Sequence, residues 1–304
     1  MLKPISRILH ALLLLIFIGA WGSVVYYFEF APSLTIAATL APTHPALSGT
    51  PALTFVPTPA PSLPSLSGTV EPIPDTDWSL LQPGLERRMI QIYNDQNQHA
   101  ESLYVWRLDQ NTFRLDVAYA ERPRSLDTWQ KETHADLVVN GGYFSIENER
   151  YFPDGRIIVN GRASGRSFDG FGGMLAIDRL GAELRWLVQE PYNPYEQLQA
   201  ALQSFPMLVK PGGELGFAAE REDHARARRT VIAQDREGRI LFIVAPEGYF
   251  TLHQLSVYLT ESDLNLDIAL NLDGGGSTGI LVADPWEIIP SKVLLPFVVL
   301  VYAR

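Results

Sequence analysis

The chain contains no cysteine. That excludes a disulfide framework, Cys-ligated zinc, thiol catalysis and a lipid anchor attached through a thiol. Charge is scarce as well, with Asp, Glu, Lys and Arg making up 19% of 304 residues. The charge present is acidic on balance, a formal net of −10, which repels phosphate backbones and excludes nucleic acid as a bulk partner. Neither HExxH nor EF-hand spacing occurs, the six histidines are scattered, and no fixed-period repeat is present. An apolar fraction of 46% excludes wholesale disorder.

Two local absences organise the N-terminal part. Ile8–Phe28 is 21 residues without Asp, Glu, Lys or Arg. At about 1.5 Å per residue a helix of that length spans roughly 31 Å, a bilayer core. Lys3 and Arg7 precede it and Glu29 follows, so the positive-inside rule places the N-terminus in the cytoplasm. Its length favours a membrane anchor, residues 1–30, over a cleaved signal peptide, whose apolar core is usually about 7–15 residues. Cleavage would instead give a secreted protein. Ala31–Val70 also lacks charge and is dense in Pro, Ser, Thr and Ala, so residues 31–77 read as a semi-extended linker. The expectation is a single-pass cell-membrane protein with its C-terminal domain outside the cell.

Residues 78–304 are long enough to bury a core and carry 22 basic against 30 acidic side chains. Strand-like runs dominate, from Ser102–Leu108 and Phe113–Tyr119 through Asp136–Asn140 to Phe297–Tyr302. Asp154-Gly155, Asn160-Gly161 and Glu237-Gly238 read as hairpin turns. Three helices are expected: one capped by Ser125, one from Asn193-Pro194 to Gln203, and one opened by the capping box Thr251-Leu-His-Gln254. The fold class is therefore α+β, a mixed and largely antiparallel sheet with a few packed helices.

Chemistry should reside in the glycine-rich punctuation. In Ala269–Thr278 an apolar strand ends in Asp273, then Gly274, Gly275, Gly276, Ser277 and Thr278. Such a run lets the backbone approach a ligand and aim amides at an anion, and without Gly-Lys-Ser/Thr it is no nucleotide P-loop. In Val138–Phe144 a strand likewise ends in Asn140, Gly141 and Gly142 before an aromatic pair, Tyr143 and Phe144. Asn can donate to and accept from sugar hydroxyls, and an aromatic ring can stack on a sugar face. Arg226-Ala-Arg228-Arg229-Thr230 is a basic cluster suited to phosphate oxygens. Gln203-Ser-Phe-Pro206 is a fourth polar element.

In this order, NGGYF, QSFPMLV, RRT, TLHQLSVYL and ALNLDGGGST resemble the phosphodiester glycosidase family, over about Ser125–Tyr302. Two places depart from the family pattern. Ala227-Arg228 stand where His-Pro commonly precedes the Arg-Thr pair, and Glu247-Gly248-Tyr249 where Asp-Gly-Arg is usual. The resemblance implies a hydrolase that cleaves between a sugar anomeric carbon and a phosphodiester oxygen, on cell-envelope or exopolysaccharide glycans. It implies Asp273 as main carboxylate with Glu247 as a second. Arg228, Arg229, Thr230, Ser277 and Thr278 would bind phosphate, and Asn140 and Gln203 would orient the sugar. A phosphorylated glycan is the expected partner, with the membrane through the N-terminal helix. No cofactor is expected, and structural calcium would leave no mark in sequence. Two alternatives stand beside this reading: a non-catalytic glycan-binding domain on a stalk, and a metal-dependent hydrolase using Asp273 with Asp263 or Asp267.

Overall fold

The computed structural model describes residues 75–168 and 170–304. The candidate membrane span Ile8–Phe28 and the Ala31–Val70 linker lie outside the described residues. Among the described residues no helix is long and apolar enough to cross a membrane. The described chain is engaged from its first residues: the Asp75 carboxylate accepts from Gln91 N at 2.7 Å, and Thr76 exchanges bonds with Met89.

Strands and helices are numbered in chain order. The largest sheet runs β1 (Ser79–Gln82), β2 (Leu85–Tyr93), β3 (His99–Leu108), β16 (Ile240–Ala245), β15 (Arg229–Asp235), β17 (Leu266–Asn271), β13 (Met207–Lys210), β14 (Glu214–Leu215). A second runs β19 (Glu287–Ile289), β18 (Ile280–Val282), β5 (Leu137–Asn140), β20 (Leu295–Ala303), β4 (Phe113–Arg124). The third runs β11 (Ala182–Trp186), β10 (Gly173–Ile177), β12 (Ala200–Ser204), β8 (Ile157–Val159), β9 (Arg162–Ser164). A separate hairpin pairs β6 (Phe144–Glu147) with β7 (Arg150–Pro153).

Period-two alternation explains how the sheets stack. On β16, Ile240, Phe242 and Val244 enter a core shared by all three large sheets, with Val139 and Val299 from the second and Leu175 and Leu202 from the third. The intervening Leu241, Ile243 and Ala245 face the opposite way, onto helix α2 (Leu252–Glu261) through Leu255 and Leu259. The second sheet does the same: Val138, Leu281, Val298 and Leu300 pack on helix α1 (Leu126–Thr133) through Leu126 and Trp129. The first and second sheets thus each have an inner face in the common core and an outer face under a helix.

Ser125 caps α1 by accepting from Thr128 N, and at α2 both bonds of the Thr251–Gln254 capping box are present. Other expectations are corrected. Every strand pairing among the described residues is antiparallel, so the sheets are not mixed. No helix forms over 193–203. Asn193 caps only a turn, accepting from Tyr195 N at 3.0 Å, and Glu196 reaches Arg185. Ala200–Ser204 is instead a fully buried strand bonded on both edges, to β10 and β8, so tertiary pairing overrides a helix-start signal. Asn160-Gly161 does close the β8–β9 hairpin, with both residues at positive φ. Asp154-Gly155 closes none; it links β7 to β8, which do not pair with each other.

Removing the α2 cap should be felt in stability alone. Thr251→Ala leaves the Gln254 N–H without its acceptor and should cost about 1 kcal/mol. A urea titration should show a lower midpoint with an unchanged m-value.

Candidate active site

Three chain segments meet at Asn140, the last residue of β5. Its side chain is fully buried. Nδ2 donates to the carbonyls of Asp273 (2.8 Å) and Gly141 (3.1 Å). Oδ1 accepts from Thr230 Oγ1 (2.8 Å) and Gly279 N (3.0 Å). Every hydrogen-bonding position of this amide is engaged by protein, so Asn140 and Thr230 position the loop after β17 rather than contact a sugar or phosphate. Gly141 also has a packing reason, since a Cβ there would lie 2.4 Å from the Phe297 ring. Gly142 abuts the Gln203 carbonyl.

The loop that Asn140 anchors carries Asp273. Its carboxyl is hydrogen-bonded by the Ser277 hydroxyl and the Gly274 N–H, yet burial pushes its pKa up to about 6, and the Asp154 carboxylate adds to the rise. Gly274 is required by close approach: a Cβ would stand 2.8 Å from the Arg228 carbonyl. Gly275 N donates to that same carbonyl at 2.8 Å, and Gly276 O accepts from Lys292 N at 2.7 Å. The amides of Gly274 and Gly275 therefore shape the loop around Asp273 and are not aimed at a ligand. Thr278 is buried at the loop's exit, and its Oγ1 has no hydrogen-bond partner among the described residues.

Arg229 opens β15 and runs beside this loop, its Cδ 3.9 Å from where a Gly274 Cβ would stand. It is buried. Nε donates to Phe250 O (3.3 Å) and Nη2 to Ala225 O (2.7 Å). No carboxylate lies within 4.0 Å of it among the described residues. Burial lowers its pKa, and the Tyr143 hydroxyl, Asp223 and Glu222 oppose that drop.

Tyr143 connects the two charges: both Asp273 and Arg229 act on its hydroxyl, whose pKa burial raises to about 12. The ring stacks on Phe205 at 4.6 Å, and Asn271 Nδ2 donates to its Oη at 2.7 Å. Because Oη accepts from Asn271, its own proton is available for another acceptor. Phe144, the other half of the aromatic pair, packs on Phe297 instead. Phe205 in turn meets Phe171 and Phe168 edge-on, forming an aromatic wall. Gln203 holds that wall's loop: Oε1 accepts from Phe168 N and Arg156 N, and Nε2 donates to Phe168 O.

The side chains of Arg228 and Glu247 have other partners. Arg228 donates to Pro246 O and Pro290 O. The Glu247 carboxylate is 44% exposed and faces His99 Nδ1 at 3.8 Å, and it is not among the groups that act on Asp273. Its backbone matters more. The N–H groups of Glu247, Gly248 and Tyr249 converge on the buried carboxylate of Glu101 at 2.8–3.1 Å. The carbonyls of the same loop, at Pro246, Tyr249 and Phe250, accept from Arg228, Arg226 and Arg229. Glu101, Asp154, Tyr143 and Asn271 thus join the site's surroundings although no local motif marks the first two as such. Asp263 and Asp267 do not: Asp263 pairs with Arg88, and Asp267 accepts from Gly212 N.

Asn140→Ala would leave Thr230 Oγ1, Gly279 N and Asp273 O unpaired in the interior. It should cost roughly 3 kcal/mol by chemical denaturation. Glu247→Gln, half-exposed, should change stability by less than about 0.5 kcal/mol.

A family model described as phosphodiester glycosidase matches residues 133–293, a little more than half of the chain, taking in Asn140, Tyr143, Arg229 and Asp273 but not Glu101. A search of curated proteins gives no match. Among solved structures, a hypothetical protein from Synechocystis superposes with a TM-score of 0.59 at 13% identity. That superposition covers 77% of this chain and 64% of the other, so this chain spans just under two thirds of that protein's length. The catalytic domain of zebrafish N-acetylglucosamine-1-phosphodiester alpha-N-acetylglucosaminidase, auto-inhibited by its pro-peptide, superposes with a TM-score of 0.57 at 18% identity. Here 73% of this chain and 85% of the other are covered. At such identities the superpositions establish a shared fold. The family match, together with a fold shared with that enzyme, places this chain in the phosphodiester glycosidase family.

Proposed function

We propose that the chain hydrolyses sugar-1-phosphodiesters, with Asp273 as its central carboxylate and Arg229 as its phosphate-binding cation. One observation carries this reading. A buried guanidinium with no carboxylate partner among the described residues and a carboxylate with its pKa raised to about 6 both act on one tyrosine hydroxyl. A phosphodiester oxygen is the anion that Arg229 lacks. Tyr143, protonated throughout the physiological range, donates to a second oxygen of the same group.

In the proposed reaction a water oxygen bonds to the anomeric carbon as the bond from that carbon to the bridging oxygen breaks. The electron pair leaves with the phosphate, which departs as a monoester. Such a leaving group is already stable as an anion, so holding it matters more than protonating it. Ionised Asp273 either takes the water proton or attacks first to give a two-step route, and the configuration of the released sugar tells the two apart. Asp154 is the nearby carboxylate that raises the Asp273 pKa. Protein groups and water supply every step, so the scheme uses no cofactor. The substrate we propose is a cell-envelope or exopolysaccharide glycan, reached from a membrane-anchored stalk with the domain outside the cell. Protease added to intact cells should then cut within residues 31–77; a fully protected domain would overturn that topology.

The activity test is hydrolysis of the methyl diester of N-acetyl-α-glucosamine 1-phosphate, followed within a panel of other sugar-1-phosphodiesters. Asp273→Asn should lower kcat by about 10²–10⁴-fold. Activity should rise tenfold per pH unit below about 6 and level off above it, because the protonated carboxyl is inactive. Stability should move the other way. The folded pKa lies above the unfolded value of roughly 3.9, so folding is weakened as pH rises through that window. Asp273→Asn should therefore raise Tm above pH 6 and give no gain below pH 4. Binding of the diester without turnover, unchanged by Asp273→Asn, would instead identify a glycan-binding domain.

A further inference from the structure

A cavity of about 270 Å³ opens beside the aromatic wall, lined by Phe171, Trp186, Val188, Phe217, Lys210 and Arg221. Phe171 and Val188 at its rim are 44% and 47% exposed, large apolar groups left in water. Exposed apolar groups around a concavity mark a surface that receives something. Lys210 Nζ sits 5.3 Å from the Trp186 ring centroid. Neither Lys210 nor Arg221 has a carboxylate within 4.0 Å among the described residues, although the domain is acidic overall. Flat aromatic faces suit the C–H face of a pyranose, and unpaired cations suit phosphate.

A chain of ring contacts links the cavity wall to Tyr143. Tyr143 stacks on Phe205 at 4.6 Å and Phe205 meets Phe171 at 5.3 Å, so the Phe171 ring lies within about 10 Å of the Tyr143 ring. Pro206, bonded to Phe205, is part of the cavity wall. A single sugar phosphate held at Asp273 would leave this surface bare.

We propose that the cavity is a second subsite, taking the sugar ring and phosphate next along an anionic, phosphodiester-linked glycan chain whose cleaved unit lies at Asp273. This inference rests on the reading of Asp273 given above. It makes the substrate a polymer of sugar phosphates, with Trp186 and Phe171 stacking on the neighbouring sugar and Lys210 and Arg221 holding its phosphate.

The test compares two ligands by calorimetry on the full chain carrying Asp273→Asn: the single-unit methyl diester of N-acetyl-α-glucosamine 1-phosphate, and a three-unit oligomer of it joined by phosphodiesters. The oligomer should bind at least tenfold more tightly. Trp186→Ala and Lys210→Gln should each bring its Kd to within threefold of the single unit while moving the single-unit Kd less than twofold. Arg221→Gln, at an exposed position, gives the same readout should Trp186→Ala fail to fold. Equal binding of the two ligands, or an oligomer advantage that survives all three substitutions, overturns the subsite. Hydrolysis of the single unit by the wild-type chain with no oligomer advantage rejects the subsite and keeps the Asp273 reading. An oligomer advantage lost in these variants, without hydrolysis of either ligand, keeps a glycan subsite and rejects catalysis at Asp273.

Discussion

One buried amide sets the geometry on which the candidate site depends. Asn140 ends a strand of the second sheet, yet its side chain bonds to Thr230 of the first sheet, to Gly279 ahead of β18 and to the main chain of Asp273. In a dry interior each of these groups would be costly unpaired, so the amide fixes the relative position of the segments it joins. Asp273 can then be held in a partly desolvated setting by a rigid frame. Its carboxyl is less stable there when ionised, and the frame sustains that disadvantage.

The arginine cluster follows the same logic with backbone dipoles. Three guanidinium groups point at carbonyls of one short loop, and three N–H groups of that loop point at Glu101. The peptide units are polarised in one sense, from carboxylate to cations. The arrangement orients Arg228 and Arg229 through carbonyls, with no direct ion pair to either among the described residues. Gly248, at φ +86°, permits the three N–H groups to turn inward together.

Much of the fold was legible because its strands alternate and its helix caps use side-chain chemistry that is local in sequence. Ser125 and Thr251 are examples. Strand β12 was misread because its five residues are buried on both faces, leaving no alternation to set against Asn193-Pro194. At the site, Asp273 and Arg229 stood out by their company, glycines in one case and basic neighbours in the other. Asn140 and Gln203 were also singled out, yet a sequence does not reveal whether an amide faces a ligand or the protein. Glu101 contacts a loop 146 positions away, so nothing local in its strand marked it. Asp154-Gly155 looked like a turn, which concealed a carboxylate that acts on Asp273.

Strand β20 lies between β5 and β4, not at an edge. Val298 pairs with Asn140 itself, and Phe297 fills the space that Gly141 leaves. The second sheet therefore cannot close until β20 has been synthesised, and a chain made only as far as β5 exposes β4 and β5 as unpaired edges. Such long-range closure belongs to slowly folding, high-contact-order proteins. The site is completed only once Leu295–Ala303 is in place beside Asn140.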